Sequence, residues 1–208
     1  MSLRSWVIAL FVIVFIFAPT LARWYTDWLW FGELGYQRVF WVPLLSRIAV
    51  SVVFGGLLFL LFWLNFRPLL ERTREMDVID VDVRGRRSRR PFSLARPSAL
   101  AIPLLALVAF IAGLAASARW AMFQQFIHAR PFGATDPIFG KDIGLFVFTL
   151  PVYRFIESWL FSWLVLIFIV VAAGYYLSYA SLMLRGVWAL PERVRAHLSL
   201  LAGLILLV

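Results

Sequence analysis

The residues best suited to chemistry lie in 136–151, DPIFGKDIGLFVFTLP. This stretch holds the chain's only lysine, Lys141, between Asp136 and Asp142. A lysine after a glycine, with a second glycine upstream, is part of a phosphate-binding loop, where backbone N–H groups cradle phosphate and a hydroxyl holds magnesium. Gly133 and Gly140 are spaced too widely for that loop, and Asp142 stands where the Ser/Thr should be. Asp77, Asp80 and Asp82 offer oxygen ligands to a divalent cation. No spaced Gly or Glu completes a calcium loop there, and carboxylates beside arginines usually pair with them. The two histidines, His128 and His197, belong to no metal-binding spacing, and no nucleophile elbow is present. The absence of cysteine removes disulfides and thiolate sites. No catalytic residue, metal site or cofactor is therefore expected. Asp136, Lys141 and Asp142 remain as a candidate outer-face interaction surface for a partner or substrate.

What positions this stretch is a set of long apolar runs. The chain of 208 residues is 63% hydrophobic, 17% aromatic and 15% charged, against about 45–50% apolar and about 25% charged in soluble domains. About 20 apolar residues at 1.5 Å each cross a hydrocarbon core of about 30 Å. Spans are expected at about 5–22, 43–66, 98–118 and 153–184. A further apolar run at 198–208 is too short to cross, and is expected to be the start of a fifth span in a longer protein. For residues 1–22 a cleaved signal peptide is the rival reading, with Arg4 as its basic start and Thr20-Leu21-Ala22 as a small-x-small site.

Between the spans, residues 24–42 are rich in aromatics and carry Asp27, Glu33 and Arg38. They are expected to form an interfacial helix and turn, with rings at headgroup depth. Residues 67–97 form a basic cytoplasmic loop in which nine arginines face five acids, a net +4. Arg84, Arg86, Arg87, Arg89 and Arg90 form a candidate lipid-facing cluster for anionic headgroups. Residues 119–152 form an outer loop that contains the 136–151 stretch. The overall charge of +9 would suggest nucleic acid in a soluble protein. Here 13 of the 20 basic residues fall in segments on one side, the positive-inside pattern with a cytoplasmic N-terminus. No nucleic-acid partner is expected.

Within 136–151, Asp136-Pro137 predicts a turn, because the residue before proline is pushed out of the helical region and Asp bonds nearby backbone. Gly140 and Gly144 permit unusual backbone. Lys141 and Asp142 are expected to pair locally. Residues 143–148 read as a β-prone apolar run, and Pro151 as a helix start. Gly55-Gly56 in mid-span predicts a close helix approach, and Ser158, Ser162, Ser178 and Ser181 predict packing contacts. Arg154 and Glu157, three apart, are placed to pair on one helix face.

The runs DPIFGKDIGLFVFTLPVYRF and WYTDWLWFGELGYQRVFW resemble an uncharacterised family of large bacterial multi-pass membrane proteins. The resemblance spans nearly the whole chain. It implies further transmembrane helices and a large extracytoplasmic region. It implies no established activity, so no site residue is carried over.

The expected fold is an all-α polytopic membrane protein, a helical transmembrane bundle with interfacial aromatic segments. The expected role is a non-enzymatic scaffold or anchor in the cell membrane that organises envelope components, through envelope proteins or further copies of itself. A transporter or channel subunit for lipid or a small solute is the alternative. A membrane-embedded enzyme with its active site elsewhere in a longer protein is the third reading.

Overall fold

The computed structural model describes residues 3–75, 97–183 and 191–208. The five loop arginines 84–90 and the aspartates at 77, 80 and 82 lie outside these residues. Among the described residues the fold is all helical, with no strand. The helices are α1 (Leu3–Glu33), α2 (Gln37–Glu75), α3 (Pro97–Ser117), α4 (Trp120–Ile127), α5 (Leu150–Met183) and α6 (Glu192–Leu207). A π-helical segment, Leu145–Thr149, leads into α5. The chain divides into two compact units, Met1–Ile48 and Ala49–Val208.

In the first unit the aromatic segment is not a separate helix. α1 continues through it to Glu33. It ends where Gly35 takes a left-handed φ of 73°. Tyr36 N–H then bonds to the Phe31 carbonyl (2.9 Å) and Gly35 N–H to the Gly32 carbonyl (3.1 Å). These are the two bonds of a Schellman stop, which glycine makes without steric penalty. Trp24, Tyr25, Trp30 and Tyr36 remain exposed.

In the second unit the core is built from α2, α3, α5 and α6. Leu58 and Phe62 of α2 meet Ala109 and Ala112 of α3, Ile167 and Val171 of α5, and Val194 and Leu201 of α6. The outward faces are apolar too: Val52, Val53 and Leu60 on α2, Leu104 and Leu107 on α3, Ile169 and Leu177 on α5. A helix that is apolar all round has no water-facing side. Gln37–Leu69, Leu100–Ser117 and Leu145–Tyr179 are each long and apolar enough to cross a membrane. The 39 residues of α2 reach about 58 Å at 1.5 Å per residue, longer than a hydrocarbon core. The helix therefore includes Pro43, expected at its start, and residues 67–75, expected in the loop.

Lipid gives apolar helices little reason to associate, so close backbone packing must do it. Gly55 supplies this, as its type and position predict. Its partner is Gly113 on α3, whose Cα lies 3.5 Å from where a Gly55 Cβ would sit. Ser51 and Gly55 on α2 face Ala109 and Gly113 on α3, small residues one turn apart on each helix. The neighbouring Gly56 faces open space.

Candidate functional site

The 136–151 stretch folds into a clasped loop followed by a helix. Thr135 and Asp142 form an antiparallel bridge. Ile143 N–H bonds to the Ala134 carbonyl (3.1 Å) and Asp136 N–H to the Lys141 carbonyl (2.8 Å). The turn between them is organised by Asp136, as its place before proline predicts. Its Oδ1 accepts the N–H groups of Ile138 (2.9 Å) and Phe139 (2.8 Å). Gly140 closes the turn with a φ of 61°, its N–H bonding to the Asp136 carbonyl at 2.9 Å.

Asp142 does the larger share of the fastening. Its Oδ1 accepts N–H groups from Phe132 (3.1 Å) and Gly144 (2.7 Å), and its Oδ2 accepts that of Gly133 (3.0 Å). Two strands of the loop are thus tied to one carboxylate. The bonds from Phe132, Gly144 and Gly133 hold its carboxyl below the ordinary carboxylate range, because an N–H donor favours the ionised form. Gly144 is required there. A Cβ on it would sit 2.8 Å from Asp142 Oδ1 and 3.2 Å from the Arg130 carbonyl. Phe132 stacks on Phe148 with ring centroids 5.7 Å apart, and Phe139 meets Phe146 at 5.9 Å.

Four expectations are corrected here. Lys141 does not pair with Asp142, whose oxygens are taken by backbone N–H groups. Arg154 and Glu157 form no ion pair either, both side chains being exposed. Residues 143–148 are helical, not extended. An unbroken apolar run does not distinguish strand from buried helix, and Asp142 decides the matter by capping: Leu145 N–H bonds to its carbonyl at 3.0 Å. The π form at Leu145–Thr149 has a local cause. Pro151 has no N–H to give the Val147 carbonyl, so the α ladder cannot close there. Residues 119–152 are accordingly less of a loop than expected, since they contain α4 and the start of the helical run into α5.

The tip of the clasp is apolar and open. Ile138 is 81% exposed and Phe139 68%, with Lys141 exposed beside them. Asp136 and Asp142 are committed to backbone donors, which leaves Lys141 and the two apolar side chains as the groups offered outward.

A second polar constellation joins residues far apart in sequence. Tyr175 on α5 lies with its hydroxyl 3.0 Å from His197 Nδ1 on α6, and His197 Nε2 lies 3.1 Å from Asn65 Oδ1 on α2. Asn65 Nδ2 donates to the Leu61 carbonyl at 2.7 Å, which makes its Oδ1 the acceptor. That assigns the His197 proton to Nε2 and leaves Nδ1 to accept from the Tyr175 hydroxyl. Tyr175 and Asn65 are buried. An unsatisfied group in such a place costs about 1–3 kcal/mol, so the three residues tie α2, α5 and α6 into one arrangement. Sequence reading missed the set, because no spacing signals residues 132 and 22 positions apart. The serines are plainer. Ser162 and Ser178 donate to carbonyls of Ser158 (2.7 Å) and Gly174 (2.8 Å) in their own helix.

No group of three or more His, Asp or Glu able to hold a metal ion occurs among the described residues. The sequence profile of the uncharacterised protein family UPF0182 matches residues 4–208. The chain belongs to UPF0182. It is 38% identical over 207 residues to a UPF0182 protein of Mycobacterium tuberculosis, covering 97% of this chain and 20% of that relative. It is 35% identical over 217 residues to one of Rhodococcus jostii, covering 100% of this chain and 21% of the relative. The chain thus spans about a fifth of the length of the curated UPF0182 relatives it matches. No solved structure matches it.

Proposed function

We propose that this chain is a multi-pass membrane anchor of the cell membrane, with a cytoplasmic N-terminus, and that its clasped loop is a docking point on the opposite side. The observation that carries this reading is the division of labour within 130–144. The acids are spent on holding the backbone, while Ile138, Phe139 and Lys141 are held outward on a fixed turn. An ordered apolar tip beside a cation suits recognition of a partner surface. Its occupant would be an envelope protein, another part of a longer UPF0182 chain or a second copy. The arginine-rich segment 84–90 would meet anionic headgroups on the cytoplasmic side.

The test is recovery of bound envelope proteins after mild crosslinking in intact membranes. Lys141→Glu and Phe139→Ser are expected to lose most of the crosslinked partner while inserting normally. Wild-type recovery in both would remove the docking role. A transporter or channel subunit is the second reading, favoured by the Asn65–His197–Tyr175 set, because polar groups within a helix bundle mark pathways as well as contacts.

A further inference from the structure

Beside the start of α5 lies a cleft of about 410 Å³, within the size range of small-molecule sites. The polar residues that line it are two arginines and a serine. Arg119 comes from the junction of α3 and α4, and Arg154 and Ser158 stand one turn apart on α5. Its walls are apolar, with Met122 of α4, Phe146 of the π segment and Leu150 among them. No acid lines it. Neither arginine forms an ion pair among the described residues, and both are exposed. The Arg119 guanidinium lies over the Phe155 ring, 5.6 Å from its centroid, a cation–π contact that fixes its position without neutralising it.

Two uncompensated cations facing one space repel each other unless an anion lies between them. The planar fork of arginine matches the oxygens of a phosphate. The cleft adjoins the end of the apolar segment Leu145–Tyr179, where headgroups lie if that segment spans. Phe161, exposed below Ser158 on α5, continues an apolar track away from the two charges. π-helical turns, here supplying Phe146, are rare and often found at functional sites.

We propose that this cleft holds a membrane phospholipid, its phosphate clamped between Arg119 and Arg154 and its apolar body against Met122, Leu150 and Phe161. The proposal rests on the membrane-anchor reading above. It places a lipid site at the end of α5 next to the clasped loop, separate from the arginine-rich segment 84–90.

The test uses the full chain, extracted in mild detergent from membranes, with short-chain phosphatidylglycerol and inorganic phosphate as separate probes in native mass spectrometry. The wild type is expected to bind one lipid, and the double variant Arg119→Gln/Arg154→Gln to bind it at least about tenfold more weakly, the effect of losing charge-assisted contacts. Met122→Trp, which keeps both arginines and fills the apolar part, should also weaken the lipid. It remains informative if the double variant fails to fold. Inorganic phosphate should bind the wild type far more weakly than the lipid, because it gains nothing from the apolar walls. Equal lipid binding by wild type, double variant and Met122→Trp would overturn the cleft assignment while leaving the anchor reading intact. Inorganic phosphate bound as tightly as the lipid would overturn the lipid as ligand. Recovery of the wild type from the soluble fraction would overturn the anchor reading, and the lipid site with it.

Discussion

Gly113→Leu is expected to separate α3 from α2 and to lower the stability of the helical unit by about 1–3 kcal/mol or more, the range for forced overpacking. The reason is backbone, not side chain. A Cβ at position 113 would collide with the Ser51 carbonyl oxygen and would lie 3.0 Å from Gly55 Cα and 3.1 Å from Gly55 N. None of these atoms can rotate away. The helices must part, and Ala109 and Ala112, buried against Leu58 and Phe62, lose their contacts with it. Gly56→Ala is the matched control. Its Cβ meets nothing within 4 Å, so the expected change is neutral or a gain of about 0.5–1 kcal/mol from better helix propensity. Thermal unfolding of both variants in detergent separates the outcomes. Equal melting temperatures would mean that the glycine contact does not hold the helices together.

Asp142→Asn is expected to loosen the clasp while sparing the helices. Its amide keeps an oxygen for Phe132 and Gly144 but turns a donor toward the N–H of Gly133. Amide exchange at Phe132, Gly133 and Gly144 should be faster than in the wild type at neutral pH. The wild type should show a matching acid transition. The folded carboxyl titrates below its ordinary value of 3.8, so its contribution is fully present above that value. It is lost as pH falls through the lower folded value, when the unfolded state binds the proton more readily. Protection of these amides should therefore hold level from neutral pH down to about 4 and fall below it. In Asp142→Asn the acid transition should disappear. An unchanged transition in that variant would assign it to another group.

The parts of this fold that were legible in sequence are those set by composition or by one residue's stereochemistry. Apolar runs gave the long helices of α2, α3 and α5, because length and hydropathy alone define a segment able to cross a membrane. Asp136-Pro137 gave its turn and Gly55 its close approach, since each acts through local geometry. The parts that were not legible depend on a partner distant in sequence. Asp142 looked like the mate of Lys141 until Phe132 and Gly133 were brought to it. Residues 143–148 looked extended because an unbroken apolar run carries no period that tells helix from strand. The Asn65, Tyr175 and His197 side chains looked unrelated because three helices must assemble before they touch. Gly113 on α3 drew no attention in the sequence, because only the facing Ser51 and Gly55 give it meaning.

The central claim is that the clasped loop and the arginine-rich segment lie on opposite sides of a membrane. Because the chain has no cysteine, single substitutions at Ser88 and Ala134 need no altered background. In intact cells, a membrane-impermeant maleimide should label Ala134→Cys and leave Ser88→Cys unlabelled until the membrane is opened. Labelling of both positions, or of Ser88→Cys alone, in intact cells would contradict the account.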